Sequence, residues 1–151
     1  MTSVVLVGCG APLKSMGWYH AVQILNNGCN IDASLGMFIT YLWYCFAIQL
    51  TNTLTPYFGY AIIPLDYVVE PYYLGVGKNS PGSTEFNAFK EELETNNGIK
   101  FFSRVQDVPP VSKDEVKKRL AIISARTADN PELFSACLDI GCNAIFLEKP
   151  G

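Results

Sequence analysis

Short β-branched or apolar runs alternate with helix-period stretches along this chain, and that alternation is what most restricts its fold. Ser3, Val4, Val5, Leu6 and Val7 form the first run, and Trp18, Ala21, Val22 and Leu25 then fall at i, i+3, i+4, i+7. Residues 99–102, 120–125 and 144–147 read as later strands. Two further helices separate them, one carrying Phe86, Phe89 and Leu93, the other Phe134, Cys137 and Leu138. Consecutive strands joined through helices must lie parallel, with the helices covering the sheet. The expected class is therefore α/β: a doubly wound parallel sheet in three layers.

The 151 residues suffice for one domain with a real core, and 49% apolar against 17% charged composition is that of a globular chain. A net charge of -3 offers no footprint for nucleic acid or an anionic membrane surface. The basic run Lys117, Lys118 and Arg119 reads as a solvated face. Five cysteines, an odd number with no C-x-x-C pair, argue against a disulfide framework or a zinc site and for a reducing, cytoplasmic compartment. No charged stretch precedes the first apolar run, so no secretory signal is expected.

One segment disturbs the pattern. No charged residue occurs between Asp32 and Asp66, and residues 35–50 are almost wholly apolar. A spanning helix needs about 20 apolar residues, so length alone is borderline. Topology argues harder against it: a single crossing would put strands of one sheet on opposite sides of a bilayer. The more economical reading is an insertion over about residues 34–66, in its sharper form a translated non-coding stretch. Its removal joins Ile31, Asp32 and Ala33 to Tyr67, Val68, Val69 and Glu70, a second strand ending in an acid.

The turn after the first strand holds Gly8 and Gly10, with Ala11, Met16 and Gly17 leading into the helix. Glycines there let the backbone approach a pyrophosphate, while the helix N-terminus offers unpaired N–H groups. The spacing departs from G-x-G-x-x-G, because six residues separate Gly10 from Gly17 where the fingerprint has two. A structural strand–helix turn has the same appearance. A dinucleotide site also wants an acid about 20 residues past the glycines to accept from the ribose 2′-OH. Glu70 lies 60 residues past Gly10; without the 33-residue segment and the four extra loop residues, 23 remain. An acid at that point favours NAD over NADP, and nearby Lys78 softens the preference. Glu70 as a solvated strand-end acid is the alternative. The ensemble predicts a Rossmann-type domain over residues 1–151 that binds a small-molecule dinucleotide.

Farther along, Ser83 or Thr84 is placed to cap the second helix and Asn96-Asn97-Gly98 to end it. Ser112 and Glu115 fit a capping box for a short charged helix, and Asn130-Pro131 opens the next helix. Ala125, Arg126 and Thr127 follow the strand at 120–125, at the edge where ligands bind in open α/β sheets. The last strand delivers Glu148 and Lys149 to the same edge, before Pro150-Gly151.

Taken together, the glycine turn, the acid after strand two and Leu147-Glu148-Lys149-Pro150 after strand five resemble the glucose–fructose oxidoreductase and inositol dehydrogenase family, Gfo/Idh/MocA. Gly8-Cys9-Gly10-Ala11-Pro12, Met16-Gly17-Trp18-Tyr19-His20-Ala21, Val68-Val69-Glu70-Pro71 and Arg126-Thr127-Ala128-Asp129-Asn130-Pro131 resemble a long-loop branch of it. The resemblance spans nearly the whole chain outside residues 34–66. It implies an NAD(P)-dependent dehydrogenase acting on a sugar- or cyclitol-like alcohol. Gly8, Gly10, Ala11, Met16, Gly17, Glu70, Ala125, Arg126, Thr127 and Glu148 would line the cofactor, and Lys149 would be catalytic, stabilising charge on the substrate oxygen. Two departures accompany it. Asn130-Pro131-Glu132 stands where many relatives open the helix with a histidine, and His20, the only histidine, is expected to pack rather than catalyse. The resemblance also implies a second domain that supplies substrate and oligomer contacts. A truncated chain, inactive alone, is therefore expected, with a non-catalytic NAD(H)-binding module as the alternative. The insertion has a direct test. Peptide mass spectrometry of the native protein should recover no fragment from residues 37–60, and their recovery would mark the segment as a genuine part of the protein.

Overall fold

Val4, Val5, Leu6 and Val7 are each wholly buried, which requires a strand in the middle of a sheet covered on both faces. A computed structural model describes residues 2–25, 65–111 and 118–148 and places this strand, β1 (Thr2–Val7), at the sheet centre. The elements that follow are α1 (Met16–Leu25), β2 (Leu65–Val69), α2 (Ser83–Asn97), β3 (Lys100–Phe102), β4 (Lys118–Ile123), α3 (Asn130–Asp139) and β5 (Ala144–Leu147). The strand order is β3-β2-β1-β4-β5, and all four pairings are parallel. The chain steps outward from β1 through β2 to β3, then returns to the other side of β1 for β4. That reversal leaves a crevice between the carboxyl ends of β1 and β4.

Strand periodicity sorts the core into two layers. Val4 and Leu6 pack with Cys9, Ala21, Leu65, Val68, Leu93, Ile99 and Ile122, beneath α1 and α2. Val5 and Val7 pack with Val69, Val105, Val108, Ala121, Ile123, Ala136, Cys137, Ile140 and Cys142, beneath α3. The expected parallel α/β sheet flanked by helices is therefore present.

Several local expectations are corrected. β2 begins at Leu65, whose Cα pairs with Val4, two residues ahead of the Tyr67 at which the strand was expected to resume. The rest of the expected insertion, the capping box at 112–115 and Lys149 lie outside the described residues. Among the described residues no helix is long and apolar enough to cross a membrane. In α1, Ala21 of the expected stripe is buried and Leu25 packs against the core, but Gly17 and His20 complete the buried face while Trp18 and Val22 are only half-buried. Trp18 instead lies edge-on to Phe89 at the helix flank. Neither Ser83 nor Thr84 caps α2, because Gly82 in the left-handed region (φ 95°) occupies the cap position. Gly98, also left-handed, ends the helix as expected. In α3, Phe134 and Leu138 are exposed; Ala136, Cys137 and Ile140 are buried and Leu133 packs beside them. Small Ala136 belongs to the inner stripe, which shifts the stripe by about one residue.

Arg119 overturns the reading of its run as a solvated face. It is buried, and its guanidinium donates to Ser3 Oγ (3.3 Å), Pro109 O (2.7 Å) and Ile140 O (3.0 Å). It also lies over the Tyr67 ring, 5.2 Å from the centroid. The residue pins the amino edge of the sheet to the end of α3 and to the β3–β4 connection. Arg119→Leu is expected to cost about 2–4 kcal/mol, because it removes the three hydrogen bonds of a buried guanidinium that tie three segments together. Urea unfolding followed by circular dichroism measures this, and a change below about 0.5 kcal/mol would remove Arg119 from that role.

Candidate functional site

The ladder continues one residue past four strands at the carboxyl edge. Glu70 N donates to Phe102 O (2.9 Å), Gly8 N to Val69 O (2.8 Å), Ser124 N to Val7 O (2.8 Å) and Glu148 N to Ile123 O (3.0 Å). Glu70, Gly8, Ser124 and Glu148 thus form one row across β2, β1, β4 and β5, in steps of about 4.8 Å.

The glycine loop rises from this row. Gly8 and Gly10 adopt left-handed backbone (φ 82° and 69°), which side chains resist. Gly17 is required for a different reason: a Cβ there would lie 2.1 Å from the Gly8 carbonyl oxygen. Helix α1 therefore packs directly on the turn that launches the loop. The six-residue gap between Gly10 and Gly17 nevertheless closes into a turn, because Ser15 stitches it. The Ser15 hydroxyl donates to Cys9 O and accepts from Trp18 N (3.2 Å), a helix cap. Sequence reasoning started the helix after Met16-Gly17 and missed this cap; a serine just ahead of the first helical residue was the available signal.

Glu70 is buried at the end of β2, not solvated. Its Oε2 accepts from Gly10 N (2.6 Å), and its Oε1 accepts from Tyr72 N (3.0 Å) and Tyr73 N (3.3 Å). A carboxylate has about four lone-pair sites. Among the described residues three backbone N–H groups occupy them, one on Oε2 beside the glycine loop and two on Oε1. The nearby Cys9 thiol is buried, and burial followed by the Glu70 charge pushes its pKa well up, so it stays protonated.

On the other side of the crevice, Ser124 Oγ donates to Glu148 Oε2, and His20 Nε2 stands 3.7 Å from that oxygen. His20 packs edge-on to Phe146. Ser124 was hidden from sequence reasoning because it was counted inside the strand; β4 ends at Ile123.

The other expected site residues divide. Ala125 N backs Gly8, with a Cβ on Gly8 falling 2.9 Å away, so these two lie together at the crevice. Met16 is exposed beside the loop. Ala11 is buried under Gly82 rather than open to the edge. Arg126 and Thr127 are exposed, and Arg126 Nε pairs with Asp129 Oδ2 at 3.0 Å. Lys78 is exposed on the turn beyond β2. Among the described residues, no three His, Cys, Asp or Glu side chains converge as metal ligands. No family model, curated protein or solved structure matches the chain.

Burial holds the His20 pKa below its ordinary value, and Glu148 offsets this only in part. The unfolded chain therefore binds the proton at higher pH than the folded one. This contribution to stability is complete above about pH 6.5 and is lost as pH falls below it. Thermal unfolding at about pH 7.5 and 5.5 should show a smaller acid-induced drop in Tm for His20→Gln than for the parent. Equal drops would show that His20 does not carry the effect.

Proposed function

We propose that the carboxyl edge is the dinucleotide site of a Rossmann-type domain in an NAD-dependent oxidoreductase, acting on a sugar- or cyclitol-like alcohol. The observation that carries this reading is the Glu70 carboxylate clasped to the Gly10 N–H at the reversal of strand order. Three further features support it: the β3-β2-β1-β4-β5 order, two left-handed glycines, and a third glycine pressed against the first. A glycine-rich turn, a helix start and an acid near a reversal of strand order are the features a dinucleotide reading draws on.

The residues fit the group chemically. The loop brings backbone close to where a pyrophosphate would lie, with the start of α1 behind it. Glu70 Oε2, which accepts from Gly10 N, would take one ribose hydroxyl as a second donor, and its charge repels a 2′-phosphate, so NAD is favoured and NADP is the weaker ligand. Ser124, Ala125 and Glu148 form the far wall of the crevice. When bound, the nicotinamide supplies the hydride acceptor or donor. Lys149, directly after Glu148, is proposed by the family resemblance to stabilise charge developing on the substrate oxygen.

Titration with NADH and NADPH, read by nicotinamide fluorescence, tests the assignment. Glu70→Gln keeps an acceptor oxygen but removes the charge. NADH affinity should fall about tenfold while NADPH affinity falls less, a loss of the size expected for a charged hydrogen bond. An unchanged NADH/NADPH ratio would sink the ribose assignment, and no binding of either cofactor to the parent chain would sink the dinucleotide reading.

A further inference from the structure

Helix α3 ends in a turn that brings two thiols together at the opposite edge of the sheet. Cys142 N donates to Cys137 O (3.0 Å) and Gly141 N to Leu138 O (2.9 Å), with Gly141 left-handed at φ 85°. This is the Schellman pattern, in which the residue at Cys137's position and the one at Cys142's position touch through their side chains. Both side chains pack in the same buried cluster. Any two small apolar side chains would satisfy that contact. What distinguishes this pair is the Arg119 guanidinium, whose donation to Ile140 O seats it inside the same turn.

We propose that Cys137 and Cys142 are an oxidisable dithiol that a hydroperoxide converts to an intramolecular disulfide across the end of α3.

The surroundings assign the roles. The hydrogen bond from Cys137 draws the Cys142 thiol below its ordinary range against the opposing effect of burial, and the Arg119 charge assists. The Cys137 thiol is pushed up, first by that hydrogen bond and then by burial. Cys142, 5% exposed against 0% for Cys137, is the thiol an oxidant meets first, which makes it the nucleophile and Cys137 the resolving thiol. Cys142 lies between half-buried Gly141 and exposed Asn143, at the surface end of the turn. The Cys142 thiolate attacks one peroxide oxygen, the O–O bond breaks, and the other oxygen leaves and takes a proton to become water. Cys142 is then a sulfenic acid. The Cys137 sulfur attacks the Cys142 sulfur, the S–O bond breaks, and a second water leaves with the Cys137 proton. Two thiols are oxidised to one disulfide and one peroxide is reduced to two waters. A reversible disulfide of this kind suits a reducing compartment, where structural ones do not persist.

The test uses the folded full chain treated with hydrogen peroxide, then alkylated in denaturant and digested with trypsin without reductant. Both cysteines fall in the peptide that starts at Thr127. That peptide should lose two hydrogens and resist alkylation, and a thiol reductant should restore it. In Cys137→Ser, Cys142 should stop at a sulfenic acid trapped by dimedone; in Cys142→Ser, Cys137 should remain alkylatable. Full alkylation of both cysteines in the peroxide-treated parent would overturn the proposal. So would a link that forms only after the chain is unfolded in urea.

Discussion

The rest of the carboxyl edge depends on one contact, the approach of Gly17 to the Gly8 carbonyl. A methyl group at Gly17 would lie 2.1 Å from that oxygen, so no other residue lets α1 sit this close to β1. That depth carries His20 and Ala21 into the core beneath the helix and turns His20 toward Glu148 on β5. It also fixes where the intervening loop must run. Ser15 holds the loop's far end to Cys9 O, and Glu70 holds its near end at Gly10 N. Strand end, loop and helix therefore form one rigid corner, in which displacement of any member disturbs the others.

The amino edge is organised around a charge instead. Arg119 ties β1 at Ser3, the β3–β4 connection at Pro109 and the end of α3 at Ile140, while its backbone N–H takes Asn143 Oδ1 (3.0 Å). A buried cation is stable only when its donors are engaged. Here backbone carbonyls do much of that work, with the Tyr67 ring on one face. The two edges thus divide the labour, one assembling the crevice and the other locking the layers.

The fold was legible in the sequence where side-chain period and backbone requirement agree. Strand–helix alternation gave the parallel sheet, and glycines beside apolar runs marked Gly8, Gly17 and Gly98 correctly as punctuation. Hydrophobic period found Ala21 and Cys137 on the inner faces but missed Gly17 in α1 and Ala136 in α3, whose weak hydrophobicity carries no stripe. Charge misled at Arg119, because a run of three basic residues gives no hint that one of them is surrounded by carbonyls. For the site, Glu70 was found through spacing to the glycines, whereas the pairing of Ser124 with Glu148 was not. It depends on β4 and β5 being neighbours and on where β4 stops, and neither is local in sequence.

The filled acceptor sites of Glu70 bear on how any ligand would be received there. A glutamate on an open surface samples several rotamers, and fixing it costs about 0.5–1.5 kcal/mol at the moment of association. Three backbone N–H groups fix this one beforehand, so that ordering belongs to folding rather than to binding. The edge then holds a stationary, buried carboxylate. A ligand that draws on its oxygens meets peptide N–H groups already in place, and one that needs both oxygens must displace at least one of them.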